Sequence, residues 1–338
     1  MICYNDLLSH HEIEGEVGRP EYRDDAETLN AKIDKLYEAL LDSNQTCFIV
    51  GAGISTSSNI SDFRGPNGVW TKLKNGEKAD PSDIGNAEPT TTHYALRELE
   101  DQAHIQWMIS QNVDGLFHRS GYPLNLLCEI HGNLFRLQCI SCGRMYYNKD
   151  PVASVGHKPT TFKCEGTPHG RPCRGILRDT TLDWITPINP DDLKKCEQVI
   201  EICDLIVVLG TSLEVNPVGS WPSIAAARGT KIHAVNLQET QYDHIFENKI
   251  NAEVDVVFDK LLSKMNIARK NFCPQPINYK SKYSPPMIDA FKEPVRRTRK
   301  RKAKAIDHAN SENNEVSNPI VPQQQENQVL EENVIKID

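Results

Sequence analysis

Nowhere in its 338 residues does the chain contain an apolar run of about 18, the length a membrane-spanning helix needs. Its first residues, Met1-Ile2-Cys3-Tyr4-Asn5-Asp6, are polar and unlike a secretory signal. Positive charge is not in excess either. The formal net charge is −8, which argues against nucleic-acid binding over the whole surface. With 38% hydrophobic residues the chain can still bury a sizeable core, as one large domain or two smaller ones. These features predict a soluble intracellular protein that does not engage membranes.

A second absence lies in the stretch around which the chain is organised. The apolar run Cys47-Phe48-Ile49-Val50 leads into Gly51-Ala52-Gly53-Ile54-Ser55, so a buried strand should turn here into a helix whose N-terminus meets a diphosphate. A dinucleotide dehydrogenase would place a third glycine where Thr56 stands, and an acid about 20 residues further on to hold a ribose. Neither is present. Asp62-Phe63-Arg64-Gly65-Pro66 instead cuts regular structure short and puts an arginine beside an aromatic, which suits a cofactor whose far end is chemically altered.

Disulfides are not indicated, although there are ten cysteines, because several sit inside apolar runs where a thiol simply packs. Four are grouped with polar and glycine neighbours. Cys139 and Cys142 form a two-residue-spaced knuckle, Cys164 follows after 21 residues, and Cys173 after 8 more. Four thiolates leave no open position for water, so the ion should be structural. His157 or His169 remain alternatives for one ligand. Residues 150–162 carry few apolar side chains and depend on the metal to fold.

Elsewhere helices and strands alternate. Asp24 or Asp25 caps a helix with Leu29, Ile33, Leu36, Tyr37, Leu40 and Leu41 on one face, after an N-terminal arm (1–24) without periodicity. A polar loop from Thr71 to Glu88 adjoins the glycine turn. A helix begins near Thr90, and a strand over 105–110 ends at Gln111-Asn112-Val113-Asp114-Gly115, where parallel sheets place ligand contacts. His131, in Glu129-Ile130-His131-Gly132-Asn133, is the best general-base candidate. Asp191 caps a helix before the buried strand 205–209, which ends in Gly210-Thr211-Ser212. A helix follows over 218–228, then a strand over 231–236 ending at Asn236-Leu237-Gln238, then a last strand near Val254 and a closing helix through Val257, Phe258, Leu261 and Leu262. Beyond about 269 the pattern fails. A basic block over 295–305 reads as a nuclear address or phosphate-binding patch, and the remainder as disordered tail.

Taken in order, the glycine turn, Asp62-Phe63-Arg64-Gly65, Gln111 to Gly115, His131-Gly132-Asn133, the four cysteines, Gly210-Thr211-Ser212 and Asn236-Leu237-Gln238 resemble the sirtuins, NAD-dependent protein-lysine deacylases, over roughly 25–265. Gly68-Val69-Trp70 and Leu177 to Trp184 look like the class IV, sirtuin-six-type branch. The resemblance implies an α/β fold, a Rossmann-type parallel sheet with helices on both faces, built from 25–136 and 177–268. A small zinc-binding module, 137–176, is inserted in it.

It further implies NAD as co-substrate, with Gly51, Ala52, Gly53, Ser55, Thr56, Asp62, Phe63, Arg64 and Trp70 around it. Gln111, Asn112 and Asp114 would surround the nicotinamide ribose, with Asn112 and Asp114 also serving the chemistry. Gly210, Thr211, Ser212, Asn236, Leu237, Gln238 and Val254 would line the adenosine half. His131 is the implied base. The lysine's acyl oxygen attacks C1′ as nicotinamide leaves, and His131 takes a proton from a ribose hydroxyl so that this oxygen can attack the alkylimidate. The products are nicotinamide, free lysine and 2′-O-acyl-ADP-ribose. Implied partners are acylated lysines of nuclear proteins such as histone tails, and chromatin through the basic tail; the implied location is the nucleus. Mono-ADP-ribosyl transfer on the same scaffold, and a non-enzymatic zinc-stabilised chromatin module, are the competing readings. Two residues depart from the family pattern: Val50 stands where threonine is common, and Ser61 where proline precedes Asp62, which should loosen that loop.

Overall fold

The computed structural model describes residues 4–10, 12–13, 15–167, 169–268 and 291–294. Helix α1 (Ala26–Asp42) begins where Asp25 accepts the N–H groups of Glu27 and Thr28, satisfying two of the donors that a helix start leaves open. Leu29, Ile33, Leu36 and Leu40 are buried, as their spacing predicts. Leu41 is exposed, so the buried stripe is narrower than the sequence suggested.

The chain then forms β1 (Thr46–Val50), α2 (Val69–Lys74), α3 (Thr91–Asp101), β2 (Trp107–Ser110), α4 (Leu116–Arg119) and β3 (Leu127–Glu129). A second group of strands follows, β4 (Arg136–Cys139), β5 (Met145–Tyr147), β6 (Pro159–Lys163) and β7 (Ile176–Asp179). The first layer resumes with α5 (Pro190–Ile202), β8 (Leu205–Leu209), α6 (Trp221–Ala226), β9 (Lys231–Val235), β10 (Asn248–Ile250) and α7 (Val254–Lys264).

Six strands make one parallel sheet in the order β10-β9-β8-β1-β2-β3. β1 and β8 are buried at every position, which is why they read as unbroken apolar runs rather than alternating ones. Helices flank the sheet in two groups: α3 and α1 both touch α7, and α5 touches α6. The chain leaves β1 for β2 and β3 on one side, and returns through β8 to β9 and β10 on the other. The strand order therefore reverses between β1 and β8, where the tips at Val50 and Leu209 are paired neighbours. A crevice at such a reversal is where open α/β sheets bind ligands. The other four strands form a separate antiparallel sheet, β5-β4-β7-β6, inserted between β3 and α5. Among the described residues no helix is long and apolar enough to cross a membrane.

Several expectations are corrected. After Gly51 no α-helix forms; the chain makes two single 3-10 turns, Ala52–Ile54 and Thr56–Ser58, and leaves through Asn59 in the left-handed region. The hydroxyls of Thr56, Ser57 and Ser58 bond to Gly53, Asp255 and Glu88, and such local bonding competes with a helix. The region near Val254 is a helix start rather than a strand. Val254, Val257, Phe258, Leu261 and Leu262 recur at helical spacing and are all buried, while the last strand among the described residues is β10.

Asn189, not Asp191, caps α5, accepting the Asp191 N–H at 2.9 Å with Pro190 in the first turn. The helix expected over 218–228 is a 3-10 turn followed by the short α6. The helix α2 occupies part of the expected loop after Trp70. The basic block 295–305 lies outside the described residues, but Phe291 does not read as tail. It is buried edge-on against Trp107 at 5.9 Å, and Lys195 donates to its carbonyl.

Candidate active site and metal centre

At the reversal point the two glycine turns are back to back. Gly53 N–H donates to Gly210 O at 2.8 Å, and a Cβ on Gly53 would lie 2.8 Å from the Gly210 Cα, so neither turn tolerates a side chain there. The N–H groups of Gly53, Ile54 and Ser55 are used within these turns, and that of Gly51 donates to the Leu209 carbonyl at the end of β8. Those four donors already have main-chain partners. A cleft of ≈ 260 Å³ opens above the turns.

Gly51, Ala52, Gly53, Asp62, Phe63, Arg64, Trp70, Gln111, Asn112, His131, Gly210, Thr211, Ser212, Asn236 and Gln238 all line this cleft, although they come from loops scattered along the chain. Asp114 lines a smaller side chamber of ≈ 50 Å³. Ser55 stands behind the wall and donates to Asp114 at 2.7 Å. Thr56 is exposed, Leu237 uses its carbonyl to hold Tyr22, and Val254 is part of the core. Those four are not among the lining residues of either cavity. Sequence reasoning missed Tyr4 and Leu8 from the N-terminal arm, and Leu182, Asp183 and Trp184 after the last cysteine. Trp184 carried a signal, an exposed-type aromatic in a polar run. Tyr4 carried none, because it has no periodic neighbours.

The loop from Asp62 to Trp70 folds back on itself. Gly65 N–H bonds the Asp62 carboxylate at 3.0 Å, Val69 N–H the Asp62 carbonyl at 2.8 Å, and Trp70 N–H the Phe63 carbonyl at 2.9 Å. Ser61 donates its N–H to Ser82 Oγ at 3.4 Å, a bond that proline there would not make. The departure at Ser61 thus adds a tether to the loop it was expected to loosen. Phe63, Trp70 and Trp184 form an aromatic row with centroid separations of 4.6 and 5.3 Å, and the Arg64 guanidinium lies 4.3 Å over Trp70. Burial lowers the Arg64 pKa and raises that of Asp62, but an arginine keeps its charge in proteins and so offers the cleft a cation.

At the tip of β2, Asn112 donates to Gly51 O at 3.1 Å and to Ser55 Oγ at 3.3 Å, while Asp114 accepts from Ser55 and from the Leu116 N–H at the start of α4. Gln111 reaches across to Thr211 Oγ1 at 2.9 Å, linking the tips of β2 and β8.

His131 follows β3, with its Nδ1 3.2 Å from the Gln111 carbonyl. A carbonyl only accepts, so Nδ1 carries the proton and Nε2 keeps its lone pair. Burial lowers the His131 pKa, against a smaller upward pull from the Gln111 bond. The imidazole is therefore neutral near pH 7, in the state a base requires. Its loop is fixed by Gly132 in the left-handed region and by Asn133, which bonds the Glu129 carboxylate and the Phe135 N–H. Glu129 is buried beside Arg136 at 3.4 Å, and its burial pushes the carboxyl up to about 7.

In the inserted sheet Cys139, Cys142, Cys164 and Cys173 bring four sulfurs within 4.8 Å of one another, with closest pairs at 3.6 Å. About 3.8 Å is the separation that four Zn–S bonds of about 2.3 Å impose on a tetrahedron, so the donor set fits zinc. Backbone N–H groups of Cys142 and Gly166 point at Cys139 and Cys164 sulfurs at 3.4 Å, and the Tyr146 hydroxyl lies 3.0 Å from Cys164 Sγ, supporting thiolate charge. His157 bonds through its backbone to Asp179, and neither it nor His169 belongs to the cluster.

Comparison with known proteins agrees with this geometry. The Sir2 family model matches residues 82–217. The chain is 38% identical over 269 residues to the NAD-dependent protein deacetylase sir-2.4 of Caenorhabditis elegans, covering 78% of this chain and 92% of that protein. It is 38% identical over 272 residues to the NAD-dependent protein deacetylase Sirt6 of Drosophila melanogaster, covering 79% and 86%. A solved structure described as Sir2 with a p53 peptide and NAD+ superposes with a TM-score of 0.53 at 26% identity, over 70% of this chain and 99% of that one. With its parallel sheet reversing order between β1 and β8, a cleft at those strand tips and an inserted four-cysteine module, this chain belongs to the Sir2 family, the sirtuins, in the branch of the Sirt6-type proteins.

Proposed function

We propose that this chain is an NAD-dependent protein-lysine deacylase whose reaction takes place in the cleft between the β1 and β8 tips. The observation that carries the reading is the protonation pattern of His131: with Nδ1 committed to the Gln111 carbonyl, Nε2 is left as an acceptor in a neutral ring that lines the cleft. NAD supplies the electrophilic ribose carbon and the hydroxyl that this base deprotonates. Asn112 and Asp114, tied to Gly51 and Ser55, fix the polar wall beside that ribose. Arg64, stacked on Trp70, offers the cation for the diphosphate, and Ser212, Asn236 and Gln238 border the adenosine side. The aromatic row excludes water while positive charge develops at the ribose. Zinc in the four-cysteine module stands outside the chemistry and holds the inserted sheet together.

Lysines of nuclear proteins, histone tails among them, are the proposed substrates, with the basic block 295–305 as nuclear address and chromatin contact. The test is a panel of acyl-lysine peptides incubated with NAD and the wild-type chain or His131→Tyr. Nicotinamide, free lysine and 2′-O-acyl-ADP-ribose should appear in equal amounts with wild type and vanish with the mutant. Full turnover by the mutant sinks the assignment of the base. A mass gain of one ADP-ribose on protein, in place of deacylation, would point to ADP-ribosyl transfer instead.

A further inference from the structure

The residues before α1 belong to neither sheet, yet two of them, Tyr4 and Leu8, line the main cleft. Tyr4 also lines the ≈ 50 Å³ side chamber, a space for several water-sized groups, whose walls include Asn112 and Asp114. The residues common to both cavities are Tyr4, Ala52, Phe63, Asn112 and Val113, so Tyr4 stands at the opening between them. It is held there from two directions. Its hydroxyl donates to the Leu182 carbonyl at 3.2 Å, and its ring meets Phe63 edge-on at 6.1 Å.

The neighbouring residues fasten the same strap. Asn5 accepts the Trp70 indole N–H at 3.1 Å, and Ser9 donates its N–H and hydroxyl to Asp183 at 3.0 and 2.9 Å. The strap thus grips both loops that wall the cleft, the one carrying Phe63 and Trp70 and the one carrying Leu182 to Trp184. Burial, with Asp183 nearby, raises the Tyr4 pKa, so its hydroxyl stays protonated as a donor.

We propose that Tyr4 is a wall of the chamber that retains the departing nicotinamide, making the N-terminal strap a determinant of how strongly that product reverses the reaction. This rests on the deacylase reading of the cleft. Reversal forms a bond from the pyridine nitrogen lone pair to C1′ while the acyl oxygen leaves C1′ with the electron pair of its bond, so it requires no proton and no further reactant. For a given chemical barrier, its rate rises with how long a planar aromatic amide stays beside Asn112 and Asp114. An aromatic ring at the chamber mouth prolongs that stay by edge or face contact.

The test titrates nicotinamide into deacylation of an acetyl-lysine peptide by the full chain. Tyr4→Ala should raise the nicotinamide inhibition constant about tenfold, the equivalent of one aromatic contact with its buried area. Tyr4→Phe, which keeps the ring, should stay within about twofold. An unchanged inhibition constant in Tyr4→Ala overturns the proposal. If that variant does not fold, Tyr4→Leu, with bulk but no ring, carries the same prediction and the same refutation. Should the wild-type chain show no NAD-dependent turnover, the deacylase reading fails by itself. Equilibrium dialysis of labelled nicotinamide still decides the wall: a tenfold weaker Kd in the variant supports it, and equal binding, or none to either protein, overturns it.

Discussion

Nδ1 of His131 lies 3.2 Å from the main-chain carbonyl of Gln111, so a strand-tip residue on β2 sets the tautomer of a side chain placed after β3. His131→Ala is expected to lower turnover by at least about 10²-fold, the lower end of what a positioned base contributes. The zinc content and melting temperature should stay near wild type. Because burial holds the His131 pKa below 6.5, the base stays unprotonated as pH falls through the ordinary histidine range. The rate, followed as formation of 2′-O-acyl-ADP-ribose against pH, should therefore have its acid limb displaced below the ordinary histidine range. An acid limb centred above 6.5 would contradict the assignment.

Gly132→Ala should be far more costly than its size suggests. Gly132 has φ of +82°, and a Cβ there would run into the Thr180 backbone, which belongs to the stretch linking the inserted module back to α5. A non-glycine residue in this region costs about 1–2 kcal/mol even without a clash. Thermal unfolding should show a lowered Tm and the peptide assay a loss of activity; a variant matching wild type in both would show that the loop can move aside.

Removal of the metal should destroy the module rather than the chemistry directly. One zinc per chain is expected by elemental analysis, with Cys142→Ser losing it together with solubility. If that variant kept its metal and stayed soluble, the four-cysteine assignment would be wrong.

Although Glu129 is paired with Arg136, its pH signature has the opposite sign to the usual one for a salt-bridged carboxylate. Its folded pKa of about 7 exceeds the unfolded value of 4.5, because burial outweighs the nearby Arg136. The folded state therefore binds the extra proton between these values. This contribution is full below pH 4.5 and is lost as pH rises through 7. Denaturant unfolding of wild type and Glu129→Gln at several pH values should show their stability difference change across this window and level off above it; a constant difference would mean that the carboxylate is ionised throughout.

Phe291→Ala should destabilise the chain by about 2 kcal/mol, since the ring is buried against Trp107 at the start of β2. Deletion from residue 291 onward should cost at least as much. Equal urea midpoints for the variant and wild type would place Phe291 outside the folded body.

How far the sequence was legible depended on whether a residue's role was local. β1 and β8 were readable because strands covered on both sides must be apolar throughout. The cysteine cluster was readable because a tetrahedral ion constrains spacing. Gly51, Arg64, Asn112 and His131 were recognisable as parts of an ordered set, and they share one cleft. What escaped was set by tertiary contact. The 3-10 turns after Gly51 depend on hydroxyls finding Asp255 and Glu88, far away in the chain. Val254 was misplaced because a β-branched residue fits a strand or a helix, and only the spacing continued by Val257 and Phe258 decides. Tyr4 and Phe291 lie in segments without periodicity, so nothing in their neighbours announced that the fold would bury them.

The insertion between β3 and α5 bears on how the molecule assembles. β1 must pair with β8 across a long excursion of chain, a contact whose formation is slowed by the entropy of closing so large a loop. The inserted sheet ties β4 to β7, with Leu137 opposite Asp179, near the two ends of the insertion that forms part of that excursion. Once four thiolates close on one ion, the insertion is cross-linked and the loop that β8 must close is effectively shorter. Metal capture would then act early on the folding route, as a kinetic clip that lets the two halves of the nucleotide crevice meet.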